Sequence, residues 1–277
     1  DSIYESASEA ARDADAYVEL IAPQRESTYT KADYLRIGIA SKVDGIILEA
    51  DGSAEEQELI QEAMDQNIPV VTVLTDDSSS ARISFVGLNS YQLGSAYTEQ
   101  ILGLLKEHET TQVLLLSNSQ SKTQETNLVY YQIKKELEEK KQGYQSVNIS
   151  EYSIDNSSDF DTEEFVRDIF VNGNTLPDVL VCMDEVVTEC VYQALIDYNQ
   201  VGNVDVVGFY YSDVILDAIS KGIISSAIAL DMEEIGRYSI NALEEYSSLG
   251  HTSSYYSVGQ NVITRKNVGT YRTGANQ

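Results

Sequence analysis

Short runs of β-branched residues alternate with amphipathic helical stretches along nearly the whole chain, and this alternation limits the fold more than any other feature. Residues 67–77, NIPVVTVLTDD, show one cycle turning over. Asn67-Ile68-Pro69 halts a helix, Val70 to Leu74 is continuously apolar, and Thr75-Asp76-Asp77 is abruptly polar. A bounded apolar run of this length reads as a parallel strand buried on both faces. In open α/β sheets the carboxyl ends of such strands look out on the ligand crevice. Leu74 and Thr75 are therefore candidates for a ligand site.

The same reading predicts strands at 16–23, 43–50, 70–74, 82–87, 112–118, 147–154, 178–184, 205–211, 223–231 and late in 255–268. Helices are predicted at 2–15, 27–42, 52–67, 89–108, 124–140, 161–172, 186–199, 212–222 and 232–248. Ser2 and Glu5 have capping-box spacing at the start of the first helix. Alternation of this kind means right-handed βαβ crossovers and parallel sheets. About ten strands exceed one comfortable open sheet, so two lobes are expected. No Gly/Pro/Ser-rich linker separates them, which implies several shared crossing segments.

Charge removes whole classes of partner. The chain has 277 residues with 18 basic against 45 acidic side chains, a net charge of -27. A nucleic-acid-binding surface needs a basic footprint, and an acidic face is repelled by anionic lipid. No run approaches the length of a membrane span, and no signal peptide is present. The chain opens directly on DSIYESASEAARDADAY, a helix with no strand before it, as expected of a mature or trimmed α/β chain.

Motifs for chemistry are scarce. GxGxxG after a strand, GxxxxGK[ST], GxSxG and HExxH are all missing. Cys182 and Cys190 read as buried free thiols rather than a disulfide pair. The two histidines, His108 and His251, fit exposed helix ends. A transition-metal site therefore has little to build on, and no cofactor is expected. IDNSSDFDTEE at 154–164 has the alternating oxygens of a calcium loop but lacks its sixth-position glycine and twelfth-position acid. A polar loop capping the next helix explains it equally. The 19 tyrosines, with no tryptophan, stand out. Tyr210-Tyr211, at the end of a strand, offer a stacking surface for a flat or ring-shaped ligand, or simply close the sheet.

Three segments together resemble the periplasmic sugar-binding proteins of the ribose-binding type, which share their fold with lactose-repressor-type effector domains. They are VDGIILEADGSAEEQELIQEAMDQNIPVVTVLTDD (43–77), PDVLVCMDEVVTECVYQALIDY (177–198) and VDVVGFYYSDVILDAISKGIISSAIALDMEEIGRYSINAL (204–243). The tail NVITRKNV and the first helix also fit. The resemblance implies a type 1 periplasmic-binding-protein fold, α/β, with two Rossmann-like lobes joined by a three-segment hinge. It divides the chain into 1–89 with 231–256 and 90–230 with 257–277. It also implies a first strand just before Asp1 that is missing from this chain.

Carried over position by position, the family's ligand contacts fall on Ile3 and Tyr4 at the first helix and on Leu74, with Thr75 next to it. In the second lobe they fall on Asn127, Phe160, Met183 with Asp184, and Tyr210 with Tyr211. The last falls on Leu230, followed by Asp231. Five polar family positions are thus Leu, Asn, Met, Tyr and Leu here. Each sugar hydroxyl buried without a partner costs about 1–3 kcal/mol, so an apolar, aromatic site for a carbohydrate or a less polar ring-bearing ligand is expected. The resemblance implies an extracytoplasmic monomer, periplasmic or lipid-anchored on the outer face. It would bind its ligand in the interlobe cleft by hinge closure and deliver it to the permease of an ABC importer, without being an enzyme. The alternatives are a sensor domain of a membrane signalling protein with a sensor partner, a transcriptional regulator's effector domain, or an enzyme. The charge sits badly with the regulator.

Overall fold

The computed structural model describes residues 2–21, 29–106, 109–118, 124–141, 146–154, 159–171 and 175–272. The calcium-like loop falls largely on residues 155–158, and His108 also lies outside the described residues. The chain divides into two compact units: residues 1–88 with 230–259, and residues 89–229 with 260–277.

The first unit is built on β1 (Ile46–Leu48), β2 (Val70–Val73), β3 (Ser84–Gly87) and β9 (Tyr255–Ser257), in the order β1-β2-β3-β9. All three pairings are parallel, with Ile46 beside Val70 and Val71 beside Ser84. Every residue of β2 and β3 is buried, as the unbroken apolar run of 70–74 requires. Helices α1 (Ser2–Asp13), α2 (Lys31–Ser41), α3 (Ala54–Asp65) and α9 (Met232–Leu249) belong to this unit. Leu35 and Ile39 of α2 and Leu59, Ile60 and Ala63 of α3 meet Val70 in one cluster. Thr30 and Asp33 form a reciprocal capping box, so α2 begins at Lys31, later than the predicted 27.

Helix α1 crosses α9 at Gly236. A Cβ there would lie 2.4 Å from the Ile3 carbonyl oxygen and 2.6 Å from the Ala7 nitrogen. Only glycine allows two backbones to approach so closely.

The second unit holds β4 (Thr110–Asn118), β5 (Ser146–Ile154), β6 (Val179–Cys182), β7 (Asp205–Phe209), β8 (Ser226–Leu230) and β10 (Gln260–Thr264), in the order β10-β8-β7-β6-β4-β5. Its helices are α4 (Ser90–Leu102), α5 (Gln124–Lys140), α6 (Asp159–Val171), α7 (Glu185–Asp197), α8 (Asp213–Lys221) and α10 (Val268–Arg272). Period-two alternation sorts the strand residues to two faces. Val179, Val181 and Val207 pack with Tyr97 and Ile101 of α4 and Ile133 and Leu137 of α5. Leu180, Cys182 and Val206 pack on the other face with Leu195 of α7 and Ile215 and Ile219 of α8. Tyr97 is fully buried because its hydroxyl donates to the Cys182 carbonyl at 3.0 Å.

Two strand predictions need correction. Residues 16–21 carry no strand. The late strand is two: β9 joins the first sheet and β10 the second. Cys182 and Cys190 are both free thiols, as expected; Cys182 is buried, whereas Cys190 is only half-buried, contrary to the expectation of two buried thiols. Among the described residues no helix is long and apolar enough to cross a membrane, and no group of three or more His, Cys, Asp or Glu side chains is arranged to hold a metal ion.

Candidate functional site

Strand ends place the candidate residues, and backbone strain marks two of them. Among the described residues six non-glycines have positive φ: Asp15, Lys42, Asn67, Leu74, Asn199 and Tyr210. Asp15, Lys42, Asn67 and Asn199 lie just past the ends of α1, α2, α3 and α7, where a left-handed residue ordinarily terminates a helix. Leu74 (φ 62°) and Tyr210 (φ 75°) do not. Each directly follows a strand, β2 and β7, and neither side chain favours this conformation. Strained residues of this kind gather at ligand clamps and active sites.

In the first unit, the Leu74 amide donates to the Val86 carbonyl at 3.3 Å and the Thr75 amide closes back on the Val73 carbonyl at 2.6 Å. This tight turn leaves both side chains half-buried. The Thr75 hydroxyl donates to Glu49 Oε1 at 3.4 Å, and Lys31 Nζ donates to the Glu49 carbonyl at 2.8 Å. The following loop is fixed by Arg82, which clamps both oxygens of Asp76 through Nε and Nη2. Thr72 Oγ1 donates to Asp76 Oδ1 at 3.0 Å, and Arg82 Nη1 reaches the Ser254 carbonyl at 3.2 Å. Ile3 and Tyr4 lie half-buried on the first turn of α1. Leu230 is buried, and Asp231 caps α9 by accepting from the Glu234 amide at 2.9 Å.

Glu56 holds the loop after β1. Its Oε1 accepts from the amides of Asp51 and Gly52 at 2.9 and 3.3 Å, while Oε2 is buried without a hydrogen bond. Burial pushes its carboxyl above the ordinary glutamate value, against the Asp51 amide bond, which lowers it. A raised folded value means that the folded unit binds the extra proton as pH falls. Stability is therefore greater at the acid end of the window and is lost as pH rises through the folded value. Glu56→Gln keeps the Oε1 acceptor and cannot ionise. Urea midpoints of this variant between about pH 4 and 7 should fall less steeply than those of the parent. Equal slopes would assign the titration to other groups.

In the second unit, Asp184 follows β6 and caps α7, accepting from the Val187 amide at 2.8 Å. Thr188 Oγ1 donates to the Asp184 carbonyl at 2.6 Å and accepts from the Phe209 amide at 3.1 Å, tying the start of α7 to the end of β7. Gly208 makes room for it, since a Cβ there would meet Thr188 Cγ2 at 2.6 Å. Tyr210 stacks on Tyr211, with ring centroids 5.1 Å apart. Burial raises the Tyr210 phenol above its ordinary value, helped by Glu185. Glu185 is itself raised by burial, with Glu189 and Asp184 adding to it. Met183 is half-buried against the α4–α5 side of the core. Asn127 lies on α5 and Phe160 on α6, but their side chains lie outside the described residues.

The structure thus brings Met183, Asp184, Tyr210 and Tyr211 to neighbouring strand ends of one sheet, and Leu74 and Thr75 to the corresponding end of the other. The Glu185 carboxylate that acts on Tyr210 was not among the predicted site residues, nor was Glu189, which acts on Glu185 and accepts from the Ser212 hydroxyl. Their four-residue spacing on a helix starting at Asp184 was the available signal.

Two compact units, each built on a parallel sheet with helices packed against it, define the class of two-domain α/β proteins. The periplasmic binding protein domain model matches residues 1–251, and the chain belongs to that family. Among solved structures, the XylFII–LytSN complex is similar, with 21% identity over 96% of this chain and 92% of that chain and a TM-score of 0.78. GanP, a glucose-galactose binding protein from Geobacillus stearothermophilus, gives 20% identity over 96% and 92% of the two chains and a TM-score of 0.78. An ABC transporter solute binding protein from Agrobacterium vitis, bound with alpha-D-tagatopyranose, gives 17% over 99% and 94%, with a TM-score of 0.79. Among curated proteins none matches the sequence. The family is one of periplasmic binding proteins, and GanP and the Agrobacterium vitis protein are binding proteins by their descriptions.

Proposed function

We propose that this chain is an extracytoplasmic solute-binding protein that takes up a small ring-bearing ligand, non-enzymatically, with residues at the strand ends of both units. The observation that supports it most is the pair of left-handed residues, Leu74 and Tyr210, each ending a central strand. Such strain persists only where the surroundings hold it, and ligand clamps are where it recurs. The ligand is a saccharide or a less polar relative, stacked on Tyr210 and contacted by Leu74 and Met183. Closure driven by tighter binding to the closed state, as in other hinged proteins, would hand it to a membrane importer.

Tyr210→Ala tests this reading by isothermal titration with monosaccharides and their O-alkyl and aryl derivatives. Loss of the stacking ring should weaken whichever sugar binds by at least about tenfold. The melting temperature should move by less than about 4 °C. Unchanged affinity would remove Tyr210 from the site. A second reading, docking of the loaded protein onto a separate sensor, is favoured by one specific observation: the similar protein XylFII was captured as a complex with LytSN.

A further inference from the structure

Strand β5 is the longest sheet edge among the described residues. It closes one side of the second sheet and pairs there with β4 alone. It runs for nine residues, Ser146–Ile154, against three for β1 and β9 and five for β10. Proteins ordinarily blunt such an edge with lysine, proline or a bulge. SVNISEYSI holds neither residue, and its ladder to β4 is unbroken.

Val147 and Ile149 aim their backbone groups outwards. The Asp178 amide donates to the Gln112 carbonyl and the Met183 amide to the Leu116 carbonyl, so the even residues of β4 turn towards β6. Its odd residues, Val113 among them, turn towards β5. Val113 stands in register with Ile149 and therefore bonds Asn148 and Ser150. In agreement, the Tyr130 hydroxyl reaches round from α5 to donate to the Ile149 carbonyl at 3.5 Å.

Beside this edge lies a groove of about 380 Å³, lined by Lys134, Leu137 and Glu138 of α5 and Val147, Asn148 and Ile149 of β5. Its floor is apolar: Leu137 is buried, and Val147 and Ile149 pack half-buried in the same cluster. Its rim carries one cation and one anion, Lys134 and Glu138, both exposed and one helical turn apart.

We propose that β5 pairs antiparallel with β5 of a second copy of this chain, about a two-fold axis at Asn148. That axis sets Val147 opposite the partner's Ile149, where the two exchange both backbone hydrogen bonds, and the symmetry repeats the pair. Their side chains meet over Leu137 and fill both grooves. On the other face Asn148 meets the partner's Asn148 in the non-hydrogen-bonded type of pair, where side chains come closest. The two amides there supply donors and acceptors to each other. Helix α5 and its copy run antiparallel above the seam, with Lys134 opposite the partner's Glu138 and Glu138 opposite the partner's Lys134. Glu138, which also holds Lys141 of its own helix at 2.9 Å, then stands between two cations. A net charge of -27 opposes association, but charges beyond about 8 Å are screened at physiological salt.

Sedimentation velocity at about 0.15 M salt tests the pairing. A reversible dimer should appear as the protein rises from micromolar to submillimolar concentration. Asn148→Lys sets two lysines against each other on the axis, at a position exposed in the single chain, and should weaken dimerisation by at least about tenfold. Lys134→Glu and Glu138→Lys each create like-charge pairs and should each weaken it by about tenfold. The double variant Lys134→Glu/Glu138→Lys restores opposite charges across the axis and should return the affinity to within about threefold of the parent. That rescue also shows that the single variants fold. A monomer at every concentration would overturn the proposal. So would a dimer that Asn148→Lys leaves intact, or one that the charge exchange fails to restore.

Discussion

Arg82→Met is expected to destabilise the first unit by about 3–5 kcal/mol, the cost of leaving one member of a buried ion pair behind. Asp76 is only 6% exposed, and Arg82 supplies two of its three hydrogen-bond donors, the third being Thr72. With the guanidinium gone, the carboxylate must stay charged without its partner or bind a proton. The Arg82→Met/Asp76→Leu double variant should recover most of the loss, because apolar replacement of both partners is often near neutral. Urea unfolding followed by probes in the first unit measures both. A loss below about 1 kcal/mol would place the pair among weak surface bridges. The effect reaches the site, since this clamp fixes the loop that follows Leu74 and Thr75.

The second large effect is steric. Gly236→Ala puts a methyl group 2.4 Å from the Ile3 carbonyl oxygen and 2.6 Å from the Ala7 nitrogen. Both are backbone atoms, so no side-chain tip can swing aside and α1 as a whole must move. Overpacking of this kind costs about 1–3 kcal/mol and occasionally more. Proteolysis within α1 should accelerate, and Ile3 and Tyr4 should lose their places. Gly269→Ala is the control, since nothing lies within 4 Å of the added atom. Equal sensitivity of the two variants would mean that α1 does not depend on its crossing with α9.

Most of the strand and helix pattern was legible because burial on both faces demands short unbroken runs of uncharged, mostly apolar residues. Val70–Val73, Val179–Cys182 and Ser226–Leu230 are such runs, buried throughout. Tyr17–Ile21 has the composition of a strand, but composition does not supply the neighbour that pairing needs. The tail misled for a related reason: Val258-Gly259 separates two short runs that belong to different sheets, and nothing local says so.

The site was less legible. A left-handed Leu or Tyr is imposed by the turn around it and has no residue-type signature, so Leu74 and Tyr210 were singled out as candidates only through strand ends and resemblance. Aspartates at 184 and 231 carry the ordinary helix-start signal, and both do cap helices. The Glu185 carboxylate could not be placed near Tyr210 without β7 lying next to β6.

In the proposed function the strand ends grip a ring with few hydrogen-bonding partners. Calorimetric titration of the purified, ligand-stripped chain with glucose, galactose and ribose, alongside O-alkyl and aryl glycosides, tests that claim most directly. The account predicts undetectable binding of the three free sugars and measurable binding of at least one ring-substituted derivative, lost in Tyr210→Ala. Micromolar binding of glucose, galactose or ribose that survives Tyr210→Ala would contradict it.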